Sequence, residues 1–216
     1  MHGYLLNIIL NHSIFITAVV AAIRFKIVYS NYQPFIWLIW LGLINETISL
    51  ALIYTKGYNT PNSNIYVLLE AMLILYQFCI WETITRLWLV LLIIFCTLVW
   101  IADNLIWHSL SSNNSLFRIT YSIVITICSI KQIDRLLLSE RLFLLKNPVF
   151  LICTAFLLYY SCKSFIEVFN AFHLQLSHAC NRNIFTIMYV DDFVSNIIYA
   201  IAFVCIPRKQ LFTMQY

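Results

Sequence analysis

Long apolar runs alternate with short polar breaks along the whole chain, and seven of these runs approach the length of a bilayer-crossing helix. They cover about residues 5–23, 35–54, 65–81, 87–107, 116–133, 149–169 and 184–206. A hydrocarbon core of roughly 30 Å takes about 20 residues at 1.5 Å each, so each run reads as a transmembrane helix. The breaks hold residues that stop or start helices: Gly57, Asn59 and Pro61 after the second run, Pro34 before it, and Asn147 and Pro148 before the sixth. Only Glu82 to Arg86 joins the third run to the fourth, which predicts a tight antiparallel hairpin. In the fifth run, Arg118, Lys131, Asp134 and Arg135 bracket roughly a dozen uncharged residues, so crossing requires charged side chains to snorkel at both ends. Residues 134–146 then space charges helically among leucines and are read as an amphipathic surface segment. The predicted fold class is all-α, a polytopic transmembrane bundle of seven spans in one domain over residues 1–216.

Composition agrees with this pattern. With 62% hydrophobic and 10% charged residues, the chain has too few charges to cover a soluble surface. Nucleic-acid binding is excluded by the lack of a basic patch or known motif. Six of the seven cysteines lie in or at the ends of apolar runs, where they read as small packing residues; neither a disulfide framework nor a CxxC or His/Cys zinc spacing is present. The N-terminus lacks a basic leader and a small-residue cleavage site, so the first run is expected to be a retained helix. No internal repeat is visible, which counts against a repeat-built transporter.

The basic residues give an expected orientation. Nine Lys and Arg follow the odd-numbered runs (Arg24, Lys26, Arg86, Lys131, Arg135, Arg141, Lys146, Arg208, Lys209) and three follow the even-numbered ones (Lys56, Arg118, Arg182). The positive-inside rule places the N-terminus outside and the C-terminus in the cytoplasm.

Six acids then fall at membrane depth, all at or above the midplane: Glu46, Glu70, Asp103, Glu167, Asp191 and Asp192. A charge at the bilayer centre costs at least about 2.5 kcal/mol, so each needs a partner, a proton or a water-filled cavity. On a helix, Asp192, Ser195, Asn196 and Tyr199 share one face, and Tyr160, Lys163, Glu167 and Asn170 form a stripe. Lys163 and Glu167, four apart, are placed to pair along their helix. Asp191 and Asp192 point about 100° apart and do not form a close catalytic pair. His2, His108, His173 and His178 fall on the same outer side, and His12 lies within the first run.

Single polar groups in such helices commonly serve as interhelical hydrogen bonds. The one-sided set points instead to an outward-facing pocket lined by Glu46, Glu70, Asp103, Glu167, Asp192 and Asn196. A receptor-like sensor for a small or cationic ligand is the leading expectation. The alternatives are an intramembrane lipid-processing hydrolase using Asp and His groups, or a small cation channel or transporter. Neither HExxH nor a GxSxG elbow is present, no catalytic or metal-binding residue is assigned, and no cofactor is expected. A retinal Schiff base is disfavoured because the seventh run has no lysine. The expected partners are the lipid bilayer and a separate cytoplasmic or membrane signalling protein docking on the basic segment 131–146, with oligomerisation left open.

Three stretches, NSNIYVLLEAMLILYQF (Asn62 to Phe78), NPVFLICTAFLLYYS (Asn147 to Ser161) and NIIYAIAFVCIPRK (Asn196 to Lys209), carry a resemblance. In order and spacing the chain resembles an uncharacterised seven-helix membrane protein family of Bacteroidota-type bacteria. The resemblance implies a glutamate in the third helix, matching Glu70, an asparagine in the last, matching Asn196, and a bacterial inner membrane. Leu151 and Ile152 depart from the aromatic pair usual after the Asn-Pro-x-Phe start.

Overall fold

The computed structural model describes residues 13–26, 28–112, 114–139, 144–172 and 178–207. They form seven α-helices and no strand: α1 (Ile14–Arg24), α2 (Gln33–Lys56), α3 (Thr60–Ile80), α4 (Arg86–Ile101), α5 (Ser115–Ser139), α6 (Pro148–Ala171) and α7 (His178–Cys205). A π-helical turn, Ala102–Trp107, extends α4. The segments from α2 to α7 are six helices long and apolar enough to cross a membrane, and α1 is a shorter apolar helix of 11 residues. The expected first span begins at residue 5, so its first half lies outside the described residues. So do His2, His12, His173, Arg141, Arg208 and Lys209. Past the expected end of the fifth span, α5 continues without a break through Asp134 and Arg135 to Ser139.

Local chemistry accounts for the helix ends. Pro34, Pro61 and Pro148 sit in the first turns of α2, α3 and α6, where a missing N–H costs nothing. Gly57 closes α2 at φ 79°, a left-handed position that glycine takes without strain. The Asn147 side chain accepts from the Val149 and Phe150 N–H groups to cap α6. The start of α2 is capped from another helix: Gln77 on α3 accepts from Phe35 N–H at 2.9 Å and donates to Asn31 C=O at 2.7 Å. In lipid, where water cannot serve those groups, this buried amide fixes the α2–α3 hairpin.

The α3–α4 connection has one unusual residue. Glu82 is the only non-glycine at positive φ among the described residues, at 58°. The left-handed region costs an L-residue roughly 1–2 kcal/mol, while its exposed ion pair with Arg135 at 3.3 Å is worth at most about 1 kcal/mol. Glu82→Gly is therefore expected to stabilise the protein by about 0.5–1 kcal/mol. A lower thermal unfolding midpoint in detergent for this variant would show that the ion pair outweighs the strain.

Each helix packs on the next in sequence, α1 packs on α7, and α3 also touches α5, so the bundle closes on itself in chain order. Three hydrogen-bonded links seal α1 to α7. Thr17 Oγ1 donates to Asn196 C=O at 2.8 Å, and Asn196 Nδ2 donates to Ser13 Oγ at 2.9 Å. Arg24 donates to the Val204 and Ile206 carbonyls at the C-terminus of α7, where a cation also meets the negative end of the helix dipole. The centre is aromatic: Phe35 stacks on Phe203 at 5.0 Å and meets Tyr199 and Phe156 edge-on. The outer faces carry exposed Trp37, Leu87, Trp88, Leu98 and Phe165. Such a surface is unsuited to water and suited to lipid tails. The chain thus forms a membrane-type helical bundle.

Candidate functional site

At the end of the bundle that carries the α2–α3 connection, a polar cavity of about 370 Å³ lies between α1, α2, α3, α6 and α7. Glu46, Asn45 and Ser49 reach it from α2, Ser63 and Tyr66 from α3, Tyr159 from α6, and Tyr189, Asp192 and Asn196 from α7. Among the described residues, no Lys or Arg lines it. Gly42 and Ile14 form a wall, in which a Cβ on Gly42 would meet the tip of the Ile14 side chain and push it aside. Asn62, beside the cavity, donates to Asn45 Oδ1 at 2.8 Å and Ser49 Oγ at 3.1 Å and holds both in place.

Tyr66, Tyr159, Asp192, Asn196 and Ile14 also line a smaller chamber of about 60 Å³, whose other walls include Glu70, Tyr160, Ser195 and Tyr199. Glu70 sits here in a finished ionic centre. Tyr66 and Tyr121 donate to its two oxygens at 3.0 and 2.8 Å, and Lys163 Nζ lies 3.5 Å from Oε2. The Lys163 ammonium is also surrounded by the Tyr121, Tyr159 and Tyr160 rings, at 5.1–5.6 Å from their centroids. Side chains of α3, α5 and α6 thus converge on one charge pair, and the rings add cation–π attraction where water is excluded.

Lys163 does not pair with Glu167 along α6, despite the spacing of four; each has a partner on another helix. Glu167 is held by Arg118 at 3.7 Å, Ser115 Oγ at 2.8 Å and Asn170 Nδ2 at 3.2 Å. Arg118 is the residue that sequence reasoning misplaces. It counts there as a loop charge, but it lies inside α5 with its side chain 11% exposed. It also donates to Ser63 Oγ and Asn64 Oδ1 on α3. The available signal is its position near the start of the fifth apolar run, three residues after Ser115, which predicts an inward-facing partner.

Asp103 and Asn104 belong to another network, outside both cavities. Adjacent helical residues normally diverge by about 100°, yet both are fully buried, because the wider π turn at this point lets both face inward. Asp103 accepts from Phe117 N–H at 2.8 Å at the start of α5 and lies 3.1 Å from His108 Nδ1. Asn104 accepts from Asn114, and Asn64 donates to the Leu110 and Ser112 carbonyls. These groups tie the α4–α5 connection to the bundle.

Of the six expected pocket residues, Glu46, Asp192 and Asn196 share the larger cavity, Glu70 joins Asp192 and Asn196 in the smaller one, and Asp103 and Glu167 line neither. Asp191, half-buried beside Asp192, is in neither lining. Among the described residues no group of three or more His, Cys, Asp and Glu is placed to hold a metal. No protein family, curated protein or solved structure matches the chain significantly, so the reading of the site rests on its own geometry.

Proposed function

We propose that the protein is a seven-span membrane protein whose 370 Å³ cavity faces away from the cytoplasm and binds a small organic cation, as the ligand-recognising part of a receptor-like sensor. The observation that carries this reading is the pair of carboxylates, Glu46 and Asp192, that reach one cavity from two helices, among tyrosine, asparagine and serine side chains. Tyr66, Tyr159 and Tyr189 also line the cavity, and aromatic rings attract a desolvated ammonium group. The orientation follows from the basic residues: Arg24, Lys26, Arg86, Lys131 and Arg135 lie toward the opposite end of the bundle, which the positive-inside rule makes cytoplasmic. A bacterial inner membrane and a separate signalling partner complete the proposal.

Conduction is less well supported. Beneath the two cavities the rings of Phe35, Phe156, Tyr199 and Phe203 pack against one another and fill the path an ion would take.

The test is thermal unfolding of the purified protein in nanodiscs with choline, spermidine or neutral glycerol. A saturable rise with an organic cation and none with glycerol is expected. Glu46→Gln and Asp192→Asn should each weaken that response at least about tenfold, equal to losing roughly 1.4 kcal/mol of binding. No shift with either cation overturns the reading. Lipid turnover lost on Asp192→Asn would replace it with the hydrolase, and cation flux through liposomes with the channel.

A further inference from the structure

Ser195 is 1% exposed, and its hydroxyl has no hydrogen-bond partner among the described residues, yet it lines the 60 Å³ chamber. A buried hydroxyl left without a partner is costly. The polar residues that line the chamber with it are Asp192, Glu70, Asn196, Tyr66, Tyr159, Tyr160 and Tyr199, set among the apolar side chains of Ile14, Leu38 and Ile39. We propose that this chamber binds a small monovalent cation, Na⁺, with Ser195 and Asp192 as ligands.

Charge and size set the choice of ion. The adjacent Lys163 ammonium pairs with Glu70, so the second carboxylate of the chamber, Asp192, needs one positive charge when it is ionised. A single positive charge completes this balance, whereas a divalent ion would exceed it. Carboxylate, hydroxyl and amide oxygens are the donors that hard cations take. A volume of about 60 Å³ suits one small ion with little retained water and leaves no room for the organic cation assigned to the cavity above. Asp192 lines both spaces, so an ion in the chamber and an organic cation above it draw on the same carboxylate and oppose each other's binding.

The inference does not depend on the ligand proposed for the larger cavity, and the test separates the two. The unfolding midpoint of the protein in nanodiscs is measured in NaCl, KCl and CsCl at equal concentration. A saturable rise in NaCl beyond that in CsCl is expected. Ser195→Ala makes a sensitive probe, because the hydroxyl it removes has no partner to lose among the described residues. In CsCl this variant should be at least as stable as the parent, and in NaCl it should lose the Na⁺ response, as should Asp192→Asn. Glu46→Gln, which lines only the larger cavity, should keep the response to Na⁺ while losing that to choline. Equal stabilisation by all three salts means ionic screening and overturns the site. A Na⁺ response that survives Ser195→Ala, or that disappears with Glu46→Gln, places the ion elsewhere and overturns it as well.

Discussion

Lys163→Met is expected to destabilise the protein by about 3–5 kcal/mol. The substitution leaves Glu70, 4% exposed, without its counter-charge, and the hydroxyls of Tyr66 and Tyr121 cannot replace a cation. Glu70→Gln should cost a similar amount for the reciprocal reason: the ammonium stays enclosed by three rings without the carboxylate it pairs with. The cost lies in an unpaired buried charge more than in the lost contact. The double variant Glu70→Gln, Lys163→Met should therefore recover most of the stability, since the glutamine oxygen can accept from one tyrosine while its NH2 donates to the hydroxyl oxygen of the other. Unfolding midpoints of the two single variants and the double one in the same detergent decide the matter. A double variant as unstable as either single one would mean that the pair itself contributes a large net attraction.

Arg118→Met should cost nearly as much, about 3 kcal/mol. Glu167 would keep its bonds from Ser115 and Asn170 but lose its cation, and Ser63 and Asn64 on α3 would lose a donor. Arg118→Lys should fall between the two. An ammonium preserves the charge but cannot reproduce a planar fork that reaches Glu167 through one nitrogen and Ser63 and Asn64 through the other. Equal stability of the Lys variant and the parent would reduce the role of Arg118 to charge alone.

Much of the architecture is legible in the order of residues because lipid imposes one rule on every segment. The second, third and sixth runs fall within a few residues of α2, α3 and α6, where prolines and Gly57 mark the ends. The face shared by Asp192, Ser195, Asn196 and Tyr199 also follows from helical period alone: Asp192, Ser195 and Asn196 line the small chamber with Tyr199. Partner choice cannot be read in this way. Spacing makes Lys163 and Glu167 look like a pair, but each side chain reaches across the bundle to a group 93 and 49 positions away in sequence, Glu70 and Arg118. Helical period cannot reveal the π turn either, because Asp103 and Asn104 face the same way only after the helix widens. Depth is a misleading guide for Asp103, Asn104 and Glu167. All three lie toward the same end as the cavity, but they secure the connection between α4 and α5 and the packing of α5 on α6 instead of lining the open space.

The seam between α1 and α7 has a consequence for biogenesis. Ser13 and Asn196 are 183 positions apart, yet each satisfies the other's polar group. A chain threaded into the bilayer from its N-terminus exposes the Ser13 and Thr17 hydroxyls to lipid, or leaves them to transient neighbours, until the final crossing arrives to meet them. The seam cannot close before α7 is in place, and both cavities, which take walls from α1 and from α7, are complete only once those two helices meet.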